Sequence, residues 1–157
     1  MHLEYFQLID RIVDLNVVKR TITVEAQVPK ANTIFEGHFP GHPIMPGVLL
    51  IEAMAQTSGW LLIAITKFER MPFLAAVKEA KMRSFVTPGD LLKVEASIVH
   101  EGSGFAITTA KVSVGAELRC NANITFGVVP FPNPELRGHM DAMARKIGFP
   151  PQAILHD

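Results

Sequence analysis

From Lys19 to Val28 the chain alternates: Ile22, Val24 and Ala26 fall on one face, Thr21, Thr23 and Glu25 on the other. A period of two marks a half-buried strand. The alternation returns from Leu92 to Val99, where Val94, Ala96 and Ile98 oppose Lys93, Glu95 and Ser97. It returns again from Leu118 to Val128, where Cys120, Ala122, Ile124 and Phe126 oppose Arg119, Asn121, Asn123 and Thr125. Phe105 to Val114, rich in Thr, Val and Ile, reads as a further strand, and Phe73–Val77 and Lys81–Val86 as two extended pieces. Pro88-Gly89-Asp90, Gly102-Ser103-Gly104 and Gly115-Ala116-Glu117 are turn signals between them. Phe6 to Val13, with Phe6, Ile9 and Val13 apolar and Leu8 and Ile12 beside them, predicts a short helix or a helix-to-strand transition. Asn32 to Phe35 predicts a second short extended piece.

One segment breaks this pattern. From about Val48 to Ile65 the chain is apolar on nearly every side of a helix. Such a helix needs cover all round, and a sheet wrapped around it supplies that cover. The expected architecture is α+β, with one long antiparallel sheet curled around one central apolar helix. Residues 1–129 are expected to form this domain. Residues 130–157 form a proline-bearing tail, with a short helix predicted around Met140 to Ile147.

Val48 to Thr66 is also near the length needed to cross a bilayer. It carries Glu52 and Gln56, however, and a carboxylate within a span costs roughly 2.5–3.5 kcal/mol even on the lenient insertion scale. A buried core helix is the expectation, with no integral membrane association.

Composition narrows the class further. The 157 residues are 48% apolar and 19% charged, enough for a sizeable core in one domain. Fifteen Lys and Arg balance fifteen Asp and Glu, which gives no support for a nucleic-acid or anionic-membrane partner. Cys120 is the single cysteine, so no disulfide forms within the chain, as suits a reducing compartment. The opening Met1-His2-Leu3-Glu4-Tyr5 lacks the basic and apolar regions of a secretory signal. The expected location is the cytoplasm.

Chemistry concentrates between Gly37 and Gln56. Pro40, Pro43 and Pro46 recur every third residue, so the stretch around them is a stiff loop and not mid-helix or mid-sheet. His38 sits on that loop, and a neutral imidazole can take a proton near neutrality. A lone loop histidine is otherwise a plain surface group. Glu52 lies inside the apolar helix, where burial would push its carboxyl pKa upward and leave it able to donate a proton. Gln56, one turn on, can hydrogen-bond to it. The bland alternative is a Glu satisfied by a backbone or Arg partner. Gly47 begins the helix, where unpaired N–H groups and the helix dipole favour developing negative charge; otherwise it merely eases the turn into the helix. His38 and His42 have a zinc-like spacing, but the prolines exclude a helix there and no third ligand is evident, so no metal is expected. Cys120 falls on an apolar strand face and reads as core.

The run Gly37-His38-Phe39-Pro40-Gly41-His42-Pro43-Ile44-Met45-Pro46-Gly47-Val48-Leu49-Leu50-Ile51-Glu52-Ala53-Met54-Ala55-Gln56 closely resembles the signature of the FabZ-type 3-hydroxyacyl-[acyl-carrier-protein] dehydratases. Looser similarity extends from Leu8-Ile9-Asp10-Arg11 to about Phe126. The resemblance implies a hotdog fold, a homodimer or a trimer of dimers, an acyl-carrier-protein-borne substrate and no cofactor. It implies that His38 and Glu52 are the catalytic pair, meeting across the dimer interface, and that the Gly47 N–H binds the thioester oxygen. Glu at position 52, rather than Asp, is similar to the dehydratase branch and not the dehydratase/isomerase branch. Phe39, Pro46, Val48, Gln56, Phe73 and Ala75 are expected along the substrate tunnel, with Phe73 where a gating tyrosine often stands. Leu3–Arg11, Met71-Pro72-Phe73-Leu74 and the tail resemble a sub-branch serving very-long-chain hydroxyacyl synthesis for lipid A. The alternative reading is a hotdog acyl-thioesterase. A third is a non-catalytic carrier-binding subunit, against which the intact His38 and Glu52 argue.

Overall fold

The structure, a computed structural model, describes residues 1–150; residues 151–157 of the tail lie outside them. A 3-10 turn at Leu3–Tyr5 leads into strands β1 (Arg11–Asn16) and β2 (Thr21–Gln27). A one-turn helix α1 (Thr33–Gly37) precedes the proline loop and the long helix α2 (Gly47–Ile65). Strands β3 (Arg70–Met82), β4 (Leu91–Gly102), β5 (Phe105–Val114) and β6 (Glu117–Pro130) follow, and helix α3 (Pro134–Lys146) closes the described chain. The six strands form one antiparallel sheet in the order β1-β2-β4-β5-β6-β3. Helix α2 packs against β2, β3, β4, β5 and β6. This is the hotdog arrangement.

The alternating patterns explain how the sheet covers the helix. Ile22, Val24, Ala26, Leu92, Val94, Ala96, Cys120, Ala122, Ile124 and Phe126 are all buried, and their alternation partners lie on the outer face. On α2 every residue from Thr57 to Ala64 is buried, two full turns with no exposed side. That is why α2, long and apolar enough to cross a membrane, is a core helix here, with 67% of its most apolar window covered by protein. Its two buried hydroxyls are satisfied internally: Thr57 Oγ1 donates to the Ala53 carbonyl at 2.8 Å, and Ser58 Oγ accepts from Thr108 Oγ1 of β5 at 2.8 Å. Leu62, with no exposed surface, lies at the centre of this packing. Leu62→Ala is expected to lower unfolding free energy by about 2–5 kcal/mol, read from urea denaturation.

Four local expectations are corrected. Phe6–Val13 contains no α-helix: β1 starts only at Arg11, and the backbone before it is held from outside. Gln56 bonds to the Phe6 carbonyl and the Leu8 N–H, and the Asp10 N–H donates to Glu25 of β2. Asn32–Phe35 is not extended, because the Asn32 side chain accepts the Ile34 N–H at 3.0 Å and caps α1. Phe73–Val77 and Lys81–Val86 are not two strands: Phe73–Val77, Lys81 and Met82 belong to one strand, β3, with a bulge between Lys78 and Lys81 where Glu79 has φ 53°, and Arg83–Val86 lie beyond its end. The tail helix starts six residues earlier than predicted, with Asn133 capping it at the Leu136 N–H and Pro134 in its first turn.

Among the described residues strand β3 pairs only with β6, so it is a sheet edge, and Pro72 is tolerated there for that reason. Its residues Phe73 to Ala76 are exposed. Phe39, Val48 and Phe85 are other large apolar side chains left exposed, Val48 at 72%.

Candidate active site

The proline loop fixes the His38 ring. The His38 Nδ1 lies 3.0 Å from the Ile44 carbonyl oxygen. A carbonyl only accepts, so Nδ1 carries a proton, and Nε2 is the nitrogen that a neutral ring would offer as a base. The ring stacks on Phe39 with centroids 4.1 Å apart, and the Ile44 N–H returns a bond to the His38 carbonyl at 3.0 Å. The loop is thereby pinned around the imidazole. His42 points elsewhere, its exposed ring edge-on to Phe85.

The loop ends at Pro46, which caps α2 without a side-chain acceptor. Leu49 and Leu50 donate to the Pro46 carbonyl, while the Gly47 and Val48 N–H groups find no acceptor among the described residues. Two free donors at a helix start form an anion-favouring position. The Met82 side chain lies over Gly47, close enough that an added Cβ would touch its sulfur at 3.4 Å.

Glu52 follows a little over one turn into α2. In the single chain it is half-buried rather than fully enclosed. Its Oε1 accepts from Gln56 Nε2 at 3.1 Å. The same Nε2 donates to the Phe6 carbonyl at 2.7 Å, and Gln56 Oε1 accepts the Leu8 N–H at 3.1 Å. Gln56 therefore ties the N-terminal segment to the carboxylate. Gln56→Leu leaves three polar groups without this partner. It is expected to lower stability by about 1–3 kcal/mol in chemical denaturation; a change below about 0.5 kcal/mol, as for an ordinary surface site, would contradict the role.

Glu52 and Gln56 stand at the edge of a cavity of about 330 Å³, within the size range of ligand pockets. Its α2 wall carries Ala55, Gly59, Trp60 and Ile63 beyond the two polar residues, and Met71–Leu74 of β3 form another side. The remaining sides come from Tyr5–Gln7 and Ile9, from Phe126 of β6, and from His139, Met140, Met143 and Ile147 at α3. Of the expected tunnel residues, Gln56 and Phe73 line this cavity. Phe39, Pro46, Val48 and Ala75 do not line it in the single chain. His38 also lies outside it, and no hydrogen bond joins His38 to Glu52 within one chain. The walls from the N-terminal segment and α3 were not expected. The only signal for α3 was the apolar spacing Met140, Met143, Ile147 along one helical face. Cys120 is buried, and burial pushes its thiol up to about 11, so it stays protonated and inert at neutral pH.

A family model described as "FabA-like domain" matches residues 1–123. A 3-hydroxyacyl-[acyl-carrier-protein] dehydratase FabZ from Clostridium acetobutylicum is 42% identical over 123 residues, 78% of this chain and 86% of its own length. The chain belongs to the FabZ-type dehydratase family. A FabZ from Symbiobacterium thermophilum is 36% identical over 135 residues, covering 85% of this chain and 94% of its own. Among solved structures, a hypothetical thioesterase from Streptococcus pneumoniae with coenzyme A superposes with a TM-score of 0.62 at 16% identity, over 76% of this chain and 85% of its own. At that identity it bears on the fold alone. For this FabZ-type chain the family model's match ends at residue 123, ahead of α3.

Proposed function

We propose that this protein removes water from a 3-hydroxyacyl thioester borne on an acyl carrier protein, giving the trans-2-enoyl thioester. Membership of the FabZ-type family makes it a dehydratase of fatty acid biosynthesis. The observation that carries the reading is a helix-borne carboxyl, Glu52, held by Gln56 at the edge of an apolar cavity.

The chemistry follows from these groups. Neutral His38, with Nε2 free, takes the C2 proton. Negative charge grows on the thioester oxygen and is received by the Gly47 N–H at the start of α2. Protonated Glu52 gives its proton to the C3 hydroxyl, which leaves as water, and the C2–C3 double bond forms. His38 ends as imidazolium and Glu52 as carboxylate, and a proton passing between them through water resets the pair. His38 lies outside the cavity that Glu52 borders, so the proposal takes the two from opposite protomers of a two-fold dimer. The exposed apolar residues Phe39, Val48, Phe73, Leu74 and Phe85 supply a surface for that second copy. Phe39, Pro46, Val48 and Ala75 then become tunnel residues contributed at the interface. A trimer of such dimers is the larger assembly proposed, working in the cytoplasm.

The narrower substrate proposed is a very-long-chain acyl group destined for lipid A. What supports it is a convergence: the opening segment, Met71–Leu74 and the tail, which carry the sub-branch resemblance, all contribute cavity walls. The test is a panel of 3-hydroxyacyl carrier-protein substrates of increasing length. Enoyl absorbance reports dehydration and free thiol reports hydrolysis. Thiol release without enoyl product would replace this reading with a thioesterase.

A further inference from the structure

We infer that α3, which lies past the residues that the family model matches, is the wall that selects the acyl chain, with Met140, Met143 and Ile147 as its contact stripe. The inference rests on the dehydratase reading and extends it to substrate choice. Three observations carry it.

The first is placement. Met140, Met143 and Ile147 recur along one face of α3 and the residue after its end, and all three line the cavity that Glu52 borders. The α2 wall includes two small residues, Ala55 and Gly59, beside the larger Trp60 and Ile63. The cavity thus has walls from both α2 and the methionine-bearing α3. Methionine is unbranched and fills irregular gaps, which suits it to a flexible hydrocarbon chain.

The second is anchoring. A lid would be loosely held, whereas α3 is fastened at both ends. Past its C-terminus, Phe149 packs on Trp60 and Phe68 with ring centroids 5.9 and 5.8 Å apart. The Ile147 carbonyl accepts the Ile12 N–H at 2.8 Å, and Ala144 is fully buried. Near its N-terminus, Phe131 stacks on Phe68, and the Arg137 guanidinium lies 6.0 Å from both rings. The stretch between these anchors borders the cavity.

The third is capacity. The cavity volume is about 330 Å³. At roughly 30 Å³ per group, the liquid share of one water molecule, it holds about ten methylene-sized groups. A 3-hydroxybutyryl chain leaves most of it empty, whereas acyl chains of about ten carbons and longer take up this space and meet α3. Side-chain bulk on α3 therefore acts on the longer substrate selectively.

The test is Met143→Trp in the full-length protein, assayed with 3-hydroxybutyryl and 3-hydroxydecanoyl carrier-protein substrates. The kcat/KM ratio of decanoyl over butyryl is expected to fall at least about tenfold, as the lost burial of two methylenes would produce. Met140→Trp, on the same stripe, is expected to shift the ratio in the same direction. Equal loss on both substrates, or loss on neither, in both variants overturns the wall. Binding of saturated decanoyl-pantetheine thioester, which cannot be dehydrated, is read in parallel by calorimetry. Should the wild-type chain dehydrate neither substrate yet bind this thioester in a way that Met143→Trp weakens, the wall stands and the dehydratase reading falls.

Discussion

Glu52→Gln is expected to cut dehydration of a 3-hydroxyacyl thioester by roughly two to four orders of magnitude, the usual worth of a positioned general acid. The substitution is nearly isosteric. An amide oxygen can still accept from Gln56 Nε2, the one hydrogen bond the Glu52 side chain receives among the described residues. The tie from Gln56 to Phe6 and Leu8 does not involve Glu52 and is unaffected. Folding stability should therefore change by less than about 0.5 kcal/mol. What disappears is the proton. An amide cannot protonate the leaving C3 hydroxyl, so KM should move little while kcat collapses. Stopped-flow enoyl absorbance with thermal unfolding as control decides the matter. Near-full turnover in the variant would remove Glu52 from the chemistry.

The second large effect concerns how the site is assembled. His38→Asn and Glu52→Gln are each expected to be nearly inactive as homodimers. An asparagine amide can still reach towards the Ile44 carbonyl that now holds Nδ1, so the loop is retained while the base is lost. If the catalytic pair is drawn from two protomers, a mixed dimer has one site with both substitutions and one site with neither. The purified mixed dimer, with one sound site in two, should therefore recover about half of wild-type activity, and an unseparated random mixture, in which half the dimers are mixed, about a quarter. Pairing within one chain predicts no recovery, since every site would then contain one substitution. Co-expression with two affinity tags, followed by kinetics on the doubly purified species, separates the outcomes.

Some of this was legible in the residues themselves. The alternation at Ile22-Val24-Ala26 and from Cys120 to Phe126 marked the inner face of the sheet, because a strand sends successive side chains to opposite sides. The all-round apolarity of α2 required a sheet about it. The stretch from Gly37 to Gln56 placed a histidine on a stiff loop and a carboxyl one turn into a helix, and the hydrogen bond from Gln56 to Glu52 followed from their four-residue spacing. These are local features, written within a few residues of where they act.

The cavity was not legible in this way. Gln56 finds its other partners at Phe6 and Leu8, about fifty positions away, and α3 reaches the cavity from beyond residue 130. Sequence spacing says nothing about such contacts, because they exist only once the sheet has closed around α2 and brought both chain ends to the same side. The local pattern thus determined the elements, the buried helix and the residue types available for acid–base chemistry. Tertiary packing alone decided that the N-terminal segment and α3 would wall the space beside Glu52, and that His38 would stand outside it. The physical reason is that a side chain's face is set by its neighbours in sequence, whereas the volume it helps enclose is set by neighbours in space.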